Sequence, residues 1–98
     1  MKHIYRVEAA IAQGYILSET RYMITAIGTF KPARGNSYAQ RVLDEVLADA
    51  DREGVTLILA VSPDPDTDYE RLCSWYKRNG FVMFEEDAMQ REPNTEQQ

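Results

Sequence analysis

The chain is poor in cysteine, with Cys73 alone among 98 residues. One thiol closes no internal disulfide, so the core must hold the fold, and a reducing, cytoplasmic setting is expected. Long apolar runs are missing too. The longest, VTLILAV at 55–61, has strand length and falls far short of the roughly 20 residues a membrane-spanning helix takes. The opening MKHIYRVEAA carries neither a sustained apolar stretch nor a small-residue cleavage site, so no secretory leader and no membrane partner are expected. Basic residues are outnumbered, 11 Lys and Arg against 16 Asp and Glu, for a net charge of −5. The deficit is uneven: residues 1–49 hold six basic and five acidic residues, net +1, whereas 50–98 hold five and eleven, net −6. This argues against binding to a phosphate backbone, so no nucleic-acid partner is expected. It suits solubility, or attraction of a basic surface or a cationic amine. His3 is the single histidine and is read as a surface residue; with one cysteine and one histidine, no metal site is suggested.

What is present is enough apolar sequence, 44%, for one small core. A single domain is expected over 1–93, with a flexible polar tail at 94–98. KHIYRVEA (2–9), YILSE (15–19) and RYMITAIGTF (21–30) read as strands of an antiparallel meander, rich in Tyr, Ile, Thr and Phe. Ala39, Val42, Leu43, Val46, Leu47 and Ala50 recur at three- and four-residue steps, which predicts one face of a helix ending at Gly54. VTLILAV follows as a near-continuous apolar strand, of the kind buried on both faces in an α/β sheet. The turn SPDPDTD (62–68) leads into a second helix, for which Thr67 and Glu70 offer a capping box. Tyr69, Leu72, Cys73 and Tyr76 form its apolar stripe, Gly80 its left-handed end, and FVMFEE (81–86) a returning strand.

The stretch KPARGNSYAQ, 31–40, enters its helix with little side chain. Two readings stand. Ser37 can be an ordinary cap, its hydroxyl accepting from a first-turn N–H. Alternatively the first N–H groups stay bare and, with the helix dipole behind them, receive an anion such as a phosphate.

Taken with SWYKRNGF (74–81) and Met89 to Pro93, the stretch resembles the GNAT superfamily of acyl-CoA-dependent N-acetyltransferases. That family carries an Arg/Gln-x-x-Gly-x-Gly/Ala loop at a helix start, here Arg34-Gly35-Asn36-Ser37-Tyr38-Ala39. It also carries Tyr-x-x-x-Gly-Phe, here Tyr76 to Phe81, and a terminal Met-x-Arg-x-Pro strand, the likeness spanning about residues 22–93. The resemblance implies a mixed α/β sheet in which the meander is followed by β-α-β with splayed central strands. It implies that Arg34, Gly35, Asn36, Ser37, Tyr38 and Ala39 hold the pyrophosphate of acetyl-CoA as co-substrate. A main-chain N–H near Thr29 would polarise the thioester carbonyl, and Tyr76 would protonate the departing thiolate; as a residue of the apolar stripe, Tyr76 also reads as plain core.

Departures from the pattern are several. Ser37 stands where the family has Gly, and Tyr69 where many members have a cofactor-contacting Asn. Tyr22 matches the position of a strand Glu, leaving Glu19, in the preceding turn, as the candidate general base. The family's leading strand and two helices have no counterpart ahead of the sheet, which implies an open acceptor side suited to a lysine or N-terminus of a protein. The sheet edge near residues 2–9 is a candidate homodimer contact. Cys73 faces core or cleft, with burial the default; Trp75 and Phe81 read as core, and Glu85 to Asp87 as a solvated turn. An active acetyltransferase and a non-catalytic acyl-CoA or partner-binding module both remain open.

Overall fold

The computed structural model describes residues 1–29, 37–61 and 68–94. Three strands, β1 (Ile4–Val7), β2 (Ala10–Ser18) and β3 (Arg21–Thr29), precede helix α1 (Tyr38–Glu53) and strand β4 (Thr56–Ala60). Helix α2 (Tyr69–Arg78) then leads to the hairpin of β5 (Val82–Glu85) and β6 (Ala88–Arg91). The strands form one six-stranded mixed sheet in the order β1-β2-β3-β4-β6-β5. The expected meander is present, each of its strands antiparallel to the next, and β3 to β4 is the parallel step. In the returning segment 81–86, Phe81 is buried and β5 is an exposed edge strand, because β6, not β5, pairs with β4.

Helix α1 follows its apolar spacing: Val42, Leu43, Val46 and Ala50 are buried against the sheet. It ends at Gly54, whose φ of 71° is the left-handed turn the sequence predicts there. Strand β4 is buried on both faces at its centre, with Leu57 and Leu59 in the main core and Ile58 between them also buried. The buried residues of both helices join one cluster with Ala12, Tyr22, Ile24, Leu57 and Leu59. Helix α2 is capped by Asp68, whose carboxylate accepts from the Arg71 N–H. Asp68 therefore takes the capping role expected of Thr67, which lies outside the described residues; an ionised carboxylate bonds a helix-start N–H more strongly than a hydroxyl does.

Two further devices position the site. Gly14 lies directly beneath the Tyr22 ring, and a Cβ there would stand 2.4 Å from both Tyr22 Cε1 and the Met23 carbonyl oxygen. At the other side of the sheet, the Arg91 guanidinium forks onto Asp51 of α1 at 2.8 and 3.2 Å, while its Nε donates to the Asn79 carbonyl at 3.1 Å. Arg91, from the Met-x-Arg-x-Pro segment, thus ties the ends of both helices to β6. The Asn94 N–H also donates to Asp51.

Candidate acyl-CoA site

Strands β3 and β4 pair only from Arg21/Thr56 to Ile24/Leu59. Beyond that point β3 runs on to Thr29 with β2, pairing Ala26 with Gln13 and Thr29 with Ala10. Strand β4 instead stays with β6, and the Val61 N–H donates to Asp87 in the β5–β6 turn at 2.7 Å. The facing edges of the two parallel strands therefore diverge, leaving main-chain donors and acceptors on each without a strand partner between them. This crevice opens at the carboxyl ends of parallel strands, where open α/β sheets receive ligands. Gly28 lies on its β3 side, with open space where a side chain would be.

Helix α1 follows β3 in the chain, and no side chain among the described residues caps its start. Ser37 occupies the cap position at φ 63°, ψ 16°, the left-handed region, and its side chain makes no capping bond. The expectation that Ser37 acts as an ordinary cap is thereby corrected: a normal cap sits in the extended region, where its hydroxyl can reach back to the second or third helical N–H. Gln40 completes a Ser-x-x-Gln capping-box pattern but does not reach back either, being bonded elsewhere. The first turn holds no acidic residue. The N–H groups of Tyr38, Ala39 and Gln40, with the dipole behind them, thus have no side-chain counter-charge from the described residues, an arrangement that accepts an anion. The Arg41 guanidinium, 5.6 Å from the Tyr38 ring centre, adds positive charge nearby. These features fit a diphosphate. Arg34, Gly35 and Asn36 lie outside the described residues.

Tyr76 is buried on α2, its ring 5.0 Å from that of Trp75 and 5.4 Å, edge-on, from that of Phe81. Phe81 is core as expected, whereas Trp75 is half-buried. Burial, helped by the neighbouring Cys73, pushes the Tyr76 phenol up to about 12, so it carries its proton at any physiological pH. The last turn of α2 is fixed around it: the Tyr76 carbonyl accepts from the Asn79 and Phe81 N–H groups, and Gly80 turns the chain at φ 97°.

Gln40 brings the two motifs together. From the first turn of α1 its Oε1 accepts from the Trp75 indole at 2.7 Å, and its Nε2 donates to Asn79 Oδ1 at 2.7 Å and to Asp44 Oδ1 at 2.8 Å. Asn79 in turn donates to the Trp75 carbonyl at 2.8 Å. Sequence reasoning missed Gln40; the only signal was a helix-start glutamine on the half-buried side of the apolar stripe.

The other candidates are dispersed. Glu19 is exposed in the β2–β3 turn, at the paired end of β3 and about 16 Å along the strand from the point of divergence at a strand rise of about 3.3 Å per residue. The structure does not bring Glu19 together with Tyr76. Tyr22 is core, donating its hydroxyl proton to the Lys2 carbonyl at 2.6 Å, so no carboxylate occupies that strand position. Tyr69 donates to Asp87 at 2.5 Å, which pushes its phenol up, and so braces α2 against the β5–β6 turn. Cys73 is buried, at the edge of a hollow with Tyr69, Lys77 and Met83. His3 is exposed and pairs its Nδ1 with the Gly14 carbonyl at 2.6 Å. Among the described residues no three His, Cys, Asp or Glu side chains gather as a metal-binding group, and no helix is long and apolar enough to cross a membrane.

No family model matches the chain, and no curated protein is similar to it in sequence. Solved structures do match. The ribosomal-protein-S18-alanine N-acetyltransferase from Escherichia coli superposes with a TM-score of 0.72 at 15% identity, over 86% of this chain and 61% of its own. The PaiA N-acetyltransferase from Thermoplasma acidophilum, solved in complex with coenzyme A, gives 0.66 at 13% identity over 86% and 53%. The anti-CRISPR protein AcrVA5 gives 0.72 at 17% identity over 89% and 94%. The chain thus spans about three-fifths or less of the two acetyltransferases, and nearly all of AcrVA5. The fold is that of the GNAT acetyltransferases, with the mixed sheet and parted central strands expected from the sequence.

Proposed function

We propose that the protein is an N-acetyltransferase that takes an acetyl group from acetyl-CoA and transfers it to a primary amine of a protein, a lysine side chain or an N-terminus. The observation that carries this reading is the start of α1, uncapped by any described side chain, together with the divergence of β3 and β4 and the link through Gln40 to the segment bearing Tyr76. The coenzyme A complex of one structural neighbour supports the co-substrate, and the S18-alanine activity in the name of another supports a protein acceptor.

In this reading Ser37, Tyr38 and Ala39, with Arg34, Gly35 and Asn36 before them, seat the diphosphate on main-chain N–H groups. The unpaired edges of β3 and β4 hold the amides of the pantetheine arm, and a main-chain N–H at or near Thr29 faces the thioester oxygen. The bound thioester supplies an activated acyl carbon. The amine nitrogen bonds to that carbon, the carbon–sulfur bond breaks with its electron pair going to sulfur, and Tyr76 donates its proton to the thiolate. Raised to about 12, the phenol is a weak acid, so its part is chiefly to hydrogen-bond the sulfur as charge develops there, and it regains from solvent the proton it gives. The amine's proton passes to solvent; Glu19 would receive it only through intervening water. The soluble partner set would be acetyl-CoA, a protein amine in the cytoplasm and, through the exposed β1 edge, a second copy of the chain.

A second reading, a module that binds acyl-CoA or a partner without turnover, is favoured by Tyr22, whose buried ring stands where the family's strand carboxylate would be. Calorimetric titration of acetyl-CoA, followed by mass spectrometry of lysine and N-terminal acetylation in a lysate, separates the two. Turnover that disappears in Tyr76→Phe supports the enzyme; binding without turnover leaves the module; no binding removes both.

A further inference from the structure

Helix α1's start and helix α2's end are far apart in sequence, yet they meet through the Gln40 side chain. Gln40 is the third residue of α1, so its own N–H belongs to the bare set at the helix start. Its amide reaches the end of α2: Oε1 takes the Trp75 indole proton at 2.7 Å, and Nε2 donates to Asn79 at 2.7 Å as well as to Asp44 of α1 at 2.8 Å. Trp75 and Asn79 flank Tyr76 in sequence, and Trp75 packs on the Tyr76 ring at 5.0 Å. A glutamine at this position of a Ser-x-x-Gln start ordinarily serves its own helix by bonding back to the cap N–H. Here it is diverted: the carbonyl and one amide proton go to the α2 end, and the second amide proton goes to Asp44 of its own helix. These bonds are part-buried, where directional contacts are stronger than in water and fix one geometry.

We propose that Gln40 is a positioning residue that transmits occupancy of the α1 start to the stretch of α2 carrying Tyr76. This rests on the acyl-CoA reading above. An anion pulling on the first-turn N–H groups settles the Gln40 backbone, and the side chain carries that order to Trp75 and Asn79, hence to the Tyr76 ring. Co-substrate binding and acid placement are then coupled without any contact between Gln40 and the reacting atoms.

Trp75 is the sole tryptophan, so its emission reports on this link directly. The test titrates coenzyme A into the whole protein, with binding followed by calorimetry and Trp75 by fluorescence, in wild type, Gln40→Leu and Gln40→Glu. In wild type the emission change should track the heat. Gln40→Leu, which keeps bulk but can neither accept nor donate, should bind within about threefold of wild type yet lose most of the Trp75 response; Gln40→Glu, which can still accept the indole proton but brings a carboxylate into the first turn, should bind more weakly yet keep the response at saturation. With an acceptor in hand, Gln40→Leu should lower kcat about tenfold with KM for acetyl-CoA within about threefold. A Gln40→Leu response equal to wild type, a wild type that binds without any emission change, or a folded Gln40→Leu that binds tenfold or more weaker would each overturn the coupling while leaving the acyl-CoA reading in place. A wild type that binds no coenzyme A overturns the acyl-CoA reading itself, and the coupling with it.

Discussion

Replacing Ser37 by alanine distinguishes a capped from a bare helix start by stability alone. A serine whose hydroxyl caps a helix loses about 1 kcal/mol on conversion to alanine, which in a domain of this size lowers Tm by roughly 4–8 °C. Ser37 makes no such bond and sits at φ 63°. Alanine carries the same Cβ into the same left-handed region, so Ser37→Ala should leave Tm within about 2 °C of wild type. Ser37→Gly separates the strain. Relief of the left-handed penalty, about 1–2 kcal/mol, is offset by about 0.4–1 kcal/mol of added chain entropy in the unfolded state. The net gain is about 0.5 kcal/mol, or about 2–4 °C. Thermal unfolding followed by circular dichroism, with urea melts to check that the slope is unchanged, is sufficient. A fall of more than about 4 °C in Ser37→Ala would refute the reasoning, because it would mean that the hydroxyl caps the helix after all.

Three further outcomes are expected. Gly14→Ala should cost about 3 kcal/mol or more and lower Tm by over 10 °C, since the new Cβ would displace the Tyr22 ring from its bond to Lys2; a melt near that of wild type would contradict the packing. The bonds from Arg91 hold the Asp51 carboxyl below its ordinary range, with the Asn94 N–H helping against partial burial. Its folded value lies below the unfolded one, so this stabilisation is whole above about pH 4 and fades as pH falls further; Asp51→Asn should flatten the acid limb of stability against pH. At the other extreme Tyr76, pushed up to about 12, stabilises the fold fully below about pH 10 and loses that contribution as pH climbs through 12, so Tyr76→Phe should flatten the alkaline limb and, once an acceptor is known, lower kcat about 100-fold.

Much of the architecture was legible because local rules and tertiary demands agree. The stripe from Ala39 to Ala50, the left-handed glycines 54 and 80 and the apolar strand at 55–61 each follow from one periodicity or one backbone requirement. The sequence pattern was less informative where a residue serves a distant partner. Ser37 looks like a cap, yet its backbone takes a glycine-like conformation, which no side-chain preference announces. Thr67 and Glu70 look like a capping box, yet Asp68 has the stronger acceptor. Gln40 and Arg91 are polar residues on helix and strand patterns that reveal only their local element, whereas their bonds span 39 and 40 residues. The order of β5 and β6 was equally hidden, since a hairpin's pairing with its neighbour depends on the whole sheet.

A charge placed at the α1 start tests the central claim most directly. Ser37 is exposed, and both Asp and Asn tolerate the left-handed region and cap helices, so neither Ser37→Asp nor Ser37→Asn should harm the fold. The carboxylate favours the helix dipole by about 0.3–1 kcal/mol but repels a diphosphate seated on the same N–H groups. Calorimetric titration of coenzyme A should find Ser37→Asn close to wild type and Ser37→Asp weaker by about tenfold or more, although the Asp variant melts no lower. Equal affinity in the two variants would place the diphosphate elsewhere and contradict the account.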